Sequence, residues 1–274
     1  MFAEKTFDTG PVAINYAEGP VNGPPLLLLH GLGTRWQSFL AIMPALAERW
    51  HVYAWDARGH GKSGRVAGAY TAHDYVTDLQ QFITGLFDEP VIVFGSSKGG
   101  AVALALAAQQ PDLFRALVVG DTPLGIVDRI PTAGPSPFYQ ERRALAGKPL
   151  ADVTAALRAN DHPPHLLETE SQMLANLDPD VLAYAAEGRL AEYFAGYERP
   201  DYARITCPVL LVQGNAEMGA ALSDADIAQV RAAMPHAQVA YLAESGHGLG
   251  LFTGAVAPLL AALDEFLSLF AKDK

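Results

Sequence analysis

The 274-residue sequence predicts an α/β fold, a mostly parallel, doubly wound sheet with an inserted helical cap. Three observations predict it. Short apolar, β-rich runs recur along the chain, as strands buried on both faces require. Each is separated from the next by a longer run of helical period. The alternation is interrupted once, by about 80 residues that hold helix patterns and nothing strand-like.

The first 20 residues, with Thr9-Gly10-Pro11 between two stretches of alternating character, read as a hairpin. Strands are then expected at Pro25 to His30, His51 to Asp56, Val91 to Gly95 and Leu113 to Gly120. Helices between and after them are expected at Gln37 to Trp50, His73 to Phe87 and Lys98 to Gln109. Regularity stops at Asp121-Thr122-Pro123 and resumes at the buried strand Pro208 to Val212. The intervening helix patterns fall at Pro149 to Asn160, Pro164 to Leu177 and Pro179 to Phe194. A helix near Ser223 to Met234, a strand Gln238 to Leu242 and an amphipathic helix Ala255 to Phe270 complete the sheet. With no repeat, low-complexity tract or Ser/Gly linker, residues 1–123 and 206–274 are expected to form one core and residues 124–205 a cap folded onto it. Such a cap would cover the C-terminal ends of the strands, where open α/β sheets bind ligands.

Composition narrows the function. A formal charge of −11 gives an acidic surface that repels phosphate backbones and anionic lipid, and no local basic patch offsets it, so neither nucleic acid nor membrane is an expected partner. The single Cys207 can form no internal disulfide and no zinc knuckle, which fits a reducing compartment. The first eight residues lack the basic and apolar regions of a signal peptide, and the apolar runs are far shorter than the roughly 20 residues a membrane helix needs. A soluble cytoplasmic protein is expected. There is no metal-ligand cluster and no Gly-x-Gly-x-x-Gly, so no metal or organic cofactor is implied.

The chemistry concentrates at Gly95-Ser96-Ser97-Lys98-Gly99, where a strand turns directly into a helix. A tight turn there strains the serine backbone and exposes Ser97 Oγ at a helix N-terminus, whose partial positive charge favours a developing anion. Ser96 lacks the flanking glycine spacing and reads as structural. A hydroxyl needs a base. Of eight histidines, His51, His73, His162 and His165 sit at element starts or in the cap, where solvated or helix-terminal imidazoles are the default. His247, in Glu244-Ser245-Gly246-His247-Gly248 after the last strand, emerges at the same sheet edge as Ser97 and is the expected base. The strand Pro25 to Leu29 ends in His30-Gly31-Leu32-Gly33. The amides of Leu32 and Lys98 are the expected oxyanion donors, and His30, Gly31 and Gly33 the residues expected to border substrate.

Taken together, the Ser97 elbow, His30-Gly31-Leu32-Gly33, Asp56-Ala57-Arg58-Gly59-His60-Gly61-Lys62-Ser63 and Gly246-His247 resemble the α/β-hydrolase superfamily, in its serine-nucleophile branch with a helical cap. The resemblance covers essentially all of the chain outside residues 124–205. It implies that Asp56, Arg58 and His60 shape a loop beside the site. Lys98 departs from the neutral residue common there, and its side chain either points away from the cleft or pairs with a cap carboxylate. The resemblance usually places the triad acid where Glu217 stands, after the strand Pro208 to Val212, and in a minority of members after the preceding strand, where Asp121 stands. Both remain open.

The implied reaction is hydrolysis of a carboxylic ester or lactone of a small molecule through an acyl-enzyme. The same residues in related proteins also cleave carbon–carbon bonds in diketones, which an anion-binding cap built from Arg142, Arg143, Arg158 or Arg189 would favour. A non-catalytic small-molecule receptor of the same fold is the third reading. Epoxide and haloalkane chemistry is disfavoured, because the related enzymes carry an aspartate where this chain has Ser97. Phe138, Tyr139, Met173, Tyr184, Tyr193, Phe194 and Tyr197 of the cap serve equally as helix packing or as an apolar pocket wall. The sequence does not indicate an oligomeric state.

Overall fold

The computed structural model describes residues 1–125, 134–195 and 200–271. Strands β1 (Ala3–Asp8), β2 (Ala13–Glu18), β3 (Pro25–Leu29), β4 (His51–Trp55), β5 (Val91–Ser96), β6 (Phe114–Gly120), β7 (Val209–Gly214) and β8 (Gln238–Leu242) form one sheet in the order β1-β2-β4-β3-β5-β6-β7-β8. The β1–β2 hairpin and the β2–β4 pair are antiparallel, and every other pairing is parallel. The alternation of side chains along each central strand feeds two cores. Leu27, Leu29, Val91, Val93, Leu117 and Val119 face one, and Leu26, Leu28, Ile92, Phe94, Ala116 and Val118 face the other.

Chain order changes direction at β3, which has β4 on one side and β5 on the other. The turn after β3 and the turn after β5 therefore open on the same crevice, the switch point at which such sheets bind ligands.

The principal core helices are α2 (Ala72–Leu86), α3 (Lys98–Gln109), α9 (Asp224–Ala233) and α10 (Ala257–Leu267). Helix α2 starts at a capping box of Thr71 and Asp74 and buries Tyr75, Val76, Leu79, Phe82 and Ile83 along one stripe. The expected helix Gln37 to Trp50 is instead a 3₁₀ turn, Trp36–Phe39, followed by the single-turn α1 (Met43–Leu46). Pro44 is the reason: it has no N–H to donate, and its ring excludes the carbonyl four residues back.

Between β6 and β7 lie α4 (Pro137–Leu145), α5 (Leu150–Ala159), α6 (Pro164–Ala175), α7 (Ala183–Ala186) and α8 (Leu190–Tyr193). The sequence pattern did not single out α4. The run expected as one helix from Pro179 to Phe194 divides into a 3₁₀ turn, α7 and α8, with Gly188 at φ +71° at the break between the last two. This segment is fastened over the β4 loop. Asp178 N–H donates to Gly59 O at 2.8 Å, and the Tyr70 hydroxyl donates to the Asp178 carboxylate at 2.7 Å.

Candidate active site

Strand β5 delivers Ser97 in a conformation that a β-carbon disfavours, φ 51° and ψ −115°. The crossing that forces it is tight. A Cβ on Gly99 would lie 2.2 Å from Leu29 O, and one on Gly95 would lie 2.5 Å from Gly99 C, so strand and helix can meet only through glycine at both positions. The bend is pinned from β6. Ser97 N–H donates to Gly120 O at 2.8 Å, and the Thr122 hydroxyl donates to Ser97 O at 3.0 Å. Thr122 belongs to none of the motifs read from the sequence; its position immediately after Asp121 at the end of a buried strand is the available signal.

Asp121 sits directly after β6 with φ 37° and no exposed surface. Its Oδ1 accepts from Gly214 N and Leu222 N, both at 3.2 Å, and its Oδ2 accepts from Ala221 N at 2.7 Å. His247 Nδ1 lies 2.7 Å from the same Oδ2. Because an ionised carboxylate can only accept, Nδ1 carries the proton and Nε2 is left as an acceptor. That Nε2 lies 3.0 Å from Ser97 Oγ. Burial acts to raise the Asp121 pKa, but the His247 bond and the three amide bonds outweigh it and hold the carboxyl below the usual aspartate value.

The structure thus joins Ser97, His247 and Asp121, and leaves Glu217 outside. Glu217 is exposed on the turn after β7, where its own N–H donates to Asn215 Oδ1 at 2.9 Å. The loop that carries it contributes amides to Asp121 rather than a carboxylate to His247. Asn215 also ties that loop to the segment before His247, its N–H donating to Ser245 O at 2.7 Å and its side-chain amide to Ala243 O at 2.9 Å.

The turn after β3 faces the serine: a Cβ on Gly31 would lie 3.4 Å from that of Ser97. The amides of Leu32 and Lys98 have no hydrogen-bond partner among the described residues, which leaves both N–H groups available to an oxyanion. Two histidines brace this turn. His30 Nε2 accepts from Ala57 N at 2.9 Å and its Nδ1 lies 2.7 Å from Gly31 O. His60 Nε2 accepts from Gly33 N at 3.2 Å and its Nδ1 lies 2.8 Å from Arg58 O. Each ring is therefore a neutral strut with both nitrogens engaged by backbone. Burial, reinforced by Lys98, lowers the His30 pKa to about 3, and the same causes lower that of His60. His30 borders the cavity but is 1% exposed, so it holds the turn and has no ring nitrogen left for a substrate.

The β4 loop is organised as expected. Asp56 accepts from Trp36 N, Lys62 N and the Asn15 amide. Arg58 makes a two-pronged bond to Asp78 of α2 at 2.5 and 2.6 Å. Lys98 resolves in favour of pointing away: its Nζ is buried 3.8 Å from the centroid of the Tyr75 ring and has no hydrogen-bonding partner, a cap carboxylate included, among the described residues.

Ser97 and His247 open onto a cavity of about 290 Å³ whose far wall is the helical segment, including Phe138, Tyr139, Leu166, Met173 and Leu182. Tyr193 instead meets Tyr184 and Phe194 edge to face, and Tyr197 lies outside the described residues. Two charged cap groups reach this wall, Arg142 and Glu170, in contact with each other. Glu170 carried no sequence signal. His162, expected to be a solvated or helix-terminal imidazole, lies 2.5 Å from Glu170 with its side chain 17% exposed. Among the described residues no group of three or more His, Cys, Asp or Glu could hold a metal ion, and no helix is long and apolar enough to cross a membrane.

A hydroxyl on a strand-to-helix bend, an imidazole from the loop after the last strand and a carboxylate at the end of an inner strand define, with this sheet, the α/β-hydrolase class. The α/β hydrolase fold family matches residues 24–252, and the chain belongs to it. Over 97% of its length the chain is 27% identical to 2-(acetamidomethylene)succinate hydrolase of Mesorhizobium japonicum, covering 95% of that protein. It is 30% identical to 3-oxoadipate enol-lactonase 2 of Acinetobacter baylyi, over 76% of this chain and 78% of the relative. The crystal structure of E-2-(acetamidomethylene)succinate hydrolase superposes with a TM-score of 0.71 at 25% identity, covering 98% of this chain and all of that one. The chain is accordingly a hydrolase.

Proposed function

We propose that the protein hydrolyses a carboxylic ester or lactone of a small molecule through an acyl-enzyme on Ser97. The observation that carries this reading is the unbroken hydrogen-bond line from Ser97 Oγ to His247 Nε2 at 3.0 Å and from His247 Nδ1 to Asp121 Oδ2 at 2.7 Å. The lactone named for the Acinetobacter relative supports the reaction class.

Ser97 Oγ attacks the substrate carbonyl carbon while its proton passes to His247 Nε2. The imidazolium so formed is stabilised by Asp121, whose three backbone donors keep it ionised. The carbonyl oxygen becomes an oxyanion and takes the Leu32 and Lys98 N–H groups. Collapse breaks the carbon–oxygen bond of the ester, and the leaving alkoxide takes the proton back from His247. Water then attacks the acyl-Ser97 carbonyl and gives a proton to His247; the bond to Ser97 Oγ breaks, Oγ takes that proton back, and the acid is released. In a lactone the leaving hydroxyl and the acid stay in one product. The described helices between β6 and β7 act as a cap that closes the cavity over Ser97.

Turnover of p-nitrophenyl acetate by the wild type, absent in a folded Ser97→Ala variant, is the expected result. Equal rates in the two proteins overturn the reading. Carbon–carbon hydrolysis by the same residues is the second reading; Arg142 in the cavity wall would serve an anionic diketone as it would an anionic ester. A panel of diketones against esters separates the two.

A further inference from the structure

Four cap arginines were candidates for holding an anion, and the structure divides them. Arg143 reaches Glu187, and Arg189 bonds both Glu187 and Glu192, on the outer surface. Arg158 is exposed on α5. Only Arg142 turns inward. It is the one lysine or arginine among the described residues that line the cavity opening on Ser97 and His247, and Glu170 is the one carboxylate.

We propose that Arg142 is the binding site for a carboxylate carried by the substrate, with Glu170 as its resting counterion, so that the substrates are esters or lactones of dicarboxylic acids. The proposal rests on the hydrolytic reading above and assigns its substrate class. The guanidinium is part-buried, stacked 4.5 Å from the centroid of the Phe138 ring one turn earlier on α4, with Tyr139 beside it. A partly desolvated guanidinium in a mostly apolar cavity gains more from an anionic partner than one in water does, and its fork suits a carboxylate. Glu170 meets that need within the cap.

The arrangement also provides for the exchange. Glu170 Oε2 lies 2.5 Å from His162 Nε2, while Arg142 contacts Oε1. When a substrate carboxylate takes the guanidinium, Glu170 is left beside the imidazole, an exchange that only a ligand bringing its own negative charge can drive. A neutral acyl chain of equal length gains nothing from displacing Glu170. The cavity thus selects for a terminal carboxylate at the cap end and a carbonyl at the Ser97 end.

The test compares mono-p-nitrophenyl glutarate with p-nitrophenyl valerate, two esters of equal acyl length that differ in the terminal carboxylate. The wild type is expected to show the higher kcat/KM on the glutarate. In Arg142→Met the glutarate-to-valerate ratio falls about tenfold or more, the loss of one charge-assisted contact. In Glu170→Gln, where the competitor is weakened, KM for the glutarate falls several-fold. Arg143→Met, on the outer face, keeps the wild-type ratio. A wild type that prefers valerate, or an Arg142→Met that loses both esters in equal proportion, overturns the proposal. If Arg142→Met does not fold, Glu170→Gln decides, and an unchanged or raised KM for the glutarate counts against it. Failure of the underlying reading looks different, since hydrolysis of both esters would then survive Ser97→Ala.

Discussion

Replacing Asp121 by Asn preserves the shape of the side chain and reverses one of its two polar atoms. Four N–H donors converge on the carboxylate, those of Gly214, Ala221, Leu222 and His247 Nδ1. Asparagine offers one oxygen. Placed at Oδ1, that oxygen keeps the Gly214 and Leu222 amides, and the NH₂ then meets the Ala221 N–H and His247. One buried backbone donor is left unsatisfied, a destabilisation of about 1–3 kcal/mol. His247 is driven to the tautomer in which Nδ1 accepts and Nε2 carries the proton, so it faces Ser97 Oγ with a hydrogen in place of a lone pair. A base held in the wrong tautomer lowers kcat by about 10³- to 10⁴-fold with far less effect on KM. The assay is steady-state hydrolysis of p-nitrophenyl acetate by folded Asp121→Asn, with Glu217→Gln alongside. Glu217 is exposed and touches neither catalytic side chain, so its variant keeps wild-type kcat. An Asp121→Asn within tenfold of wild type, or a Glu217→Gln that is inactive, refutes the reasoning.

Gly99→Ala sets a Cβ against Leu29 O, forcing strand and helix apart. It should cost about 1–3 kcal/mol in urea denaturation together with most of the activity, and an alanine variant with both intact contradicts the packing described. Arg58→Gln strands the fully buried Asp78 carboxylate and is expected to lower stability by about 3–5 kcal/mol, whereas replacing both partners by leucine costs less. Stability should also fall with pH on the acid side of neutrality. The unfolded chain protonates His30 near pH 6.5 and the folded chain only at about 3, so between those values the unfolded state binds the extra proton and stability rises with pH. Each such histidine contributes a slope of about 1.4 kcal/mol per pH unit, and His30→Gln should flatten the urea-derived profile between pH 6 and 4 by that amount.

The sheet was readable in the sequence because its central strands are apolar on both faces, a pattern that also fixed their number and order along the chain. Helix α3 and β8 begin and end at the residues expected, each bounded by a turn with its own chemistry. The helices that broke did so at single residues, Pro44 and Gly188, whose local geometry overrides the apolar periodicity around them. The acid was the part that spacing left open. Sequence order places both Asp121 and Glu217 after suitable strands, and distance from Ser97 depends on which strand lies beside β5. That neighbour is β6, so the short side chain of Asp121 suffices, and the β7 loop turns its amides inward with Glu217 outward. The Arg142–Glu170 contact joins α4 to α6 across the cap, a pairing with no local signature in either helix.

The most direct test of the central claim is the mass of the protein after reaction with an alkyl p-nitrophenyl phosphonate, followed by peptide mapping. One phosphonyl adduct on the peptide containing Ser97, absent from Ser97→Ala and formed far more slowly in His247→Ala, is the predicted result. An unlabelled wild type, or a label on any other residue at the same rate in all three proteins, contradicts it.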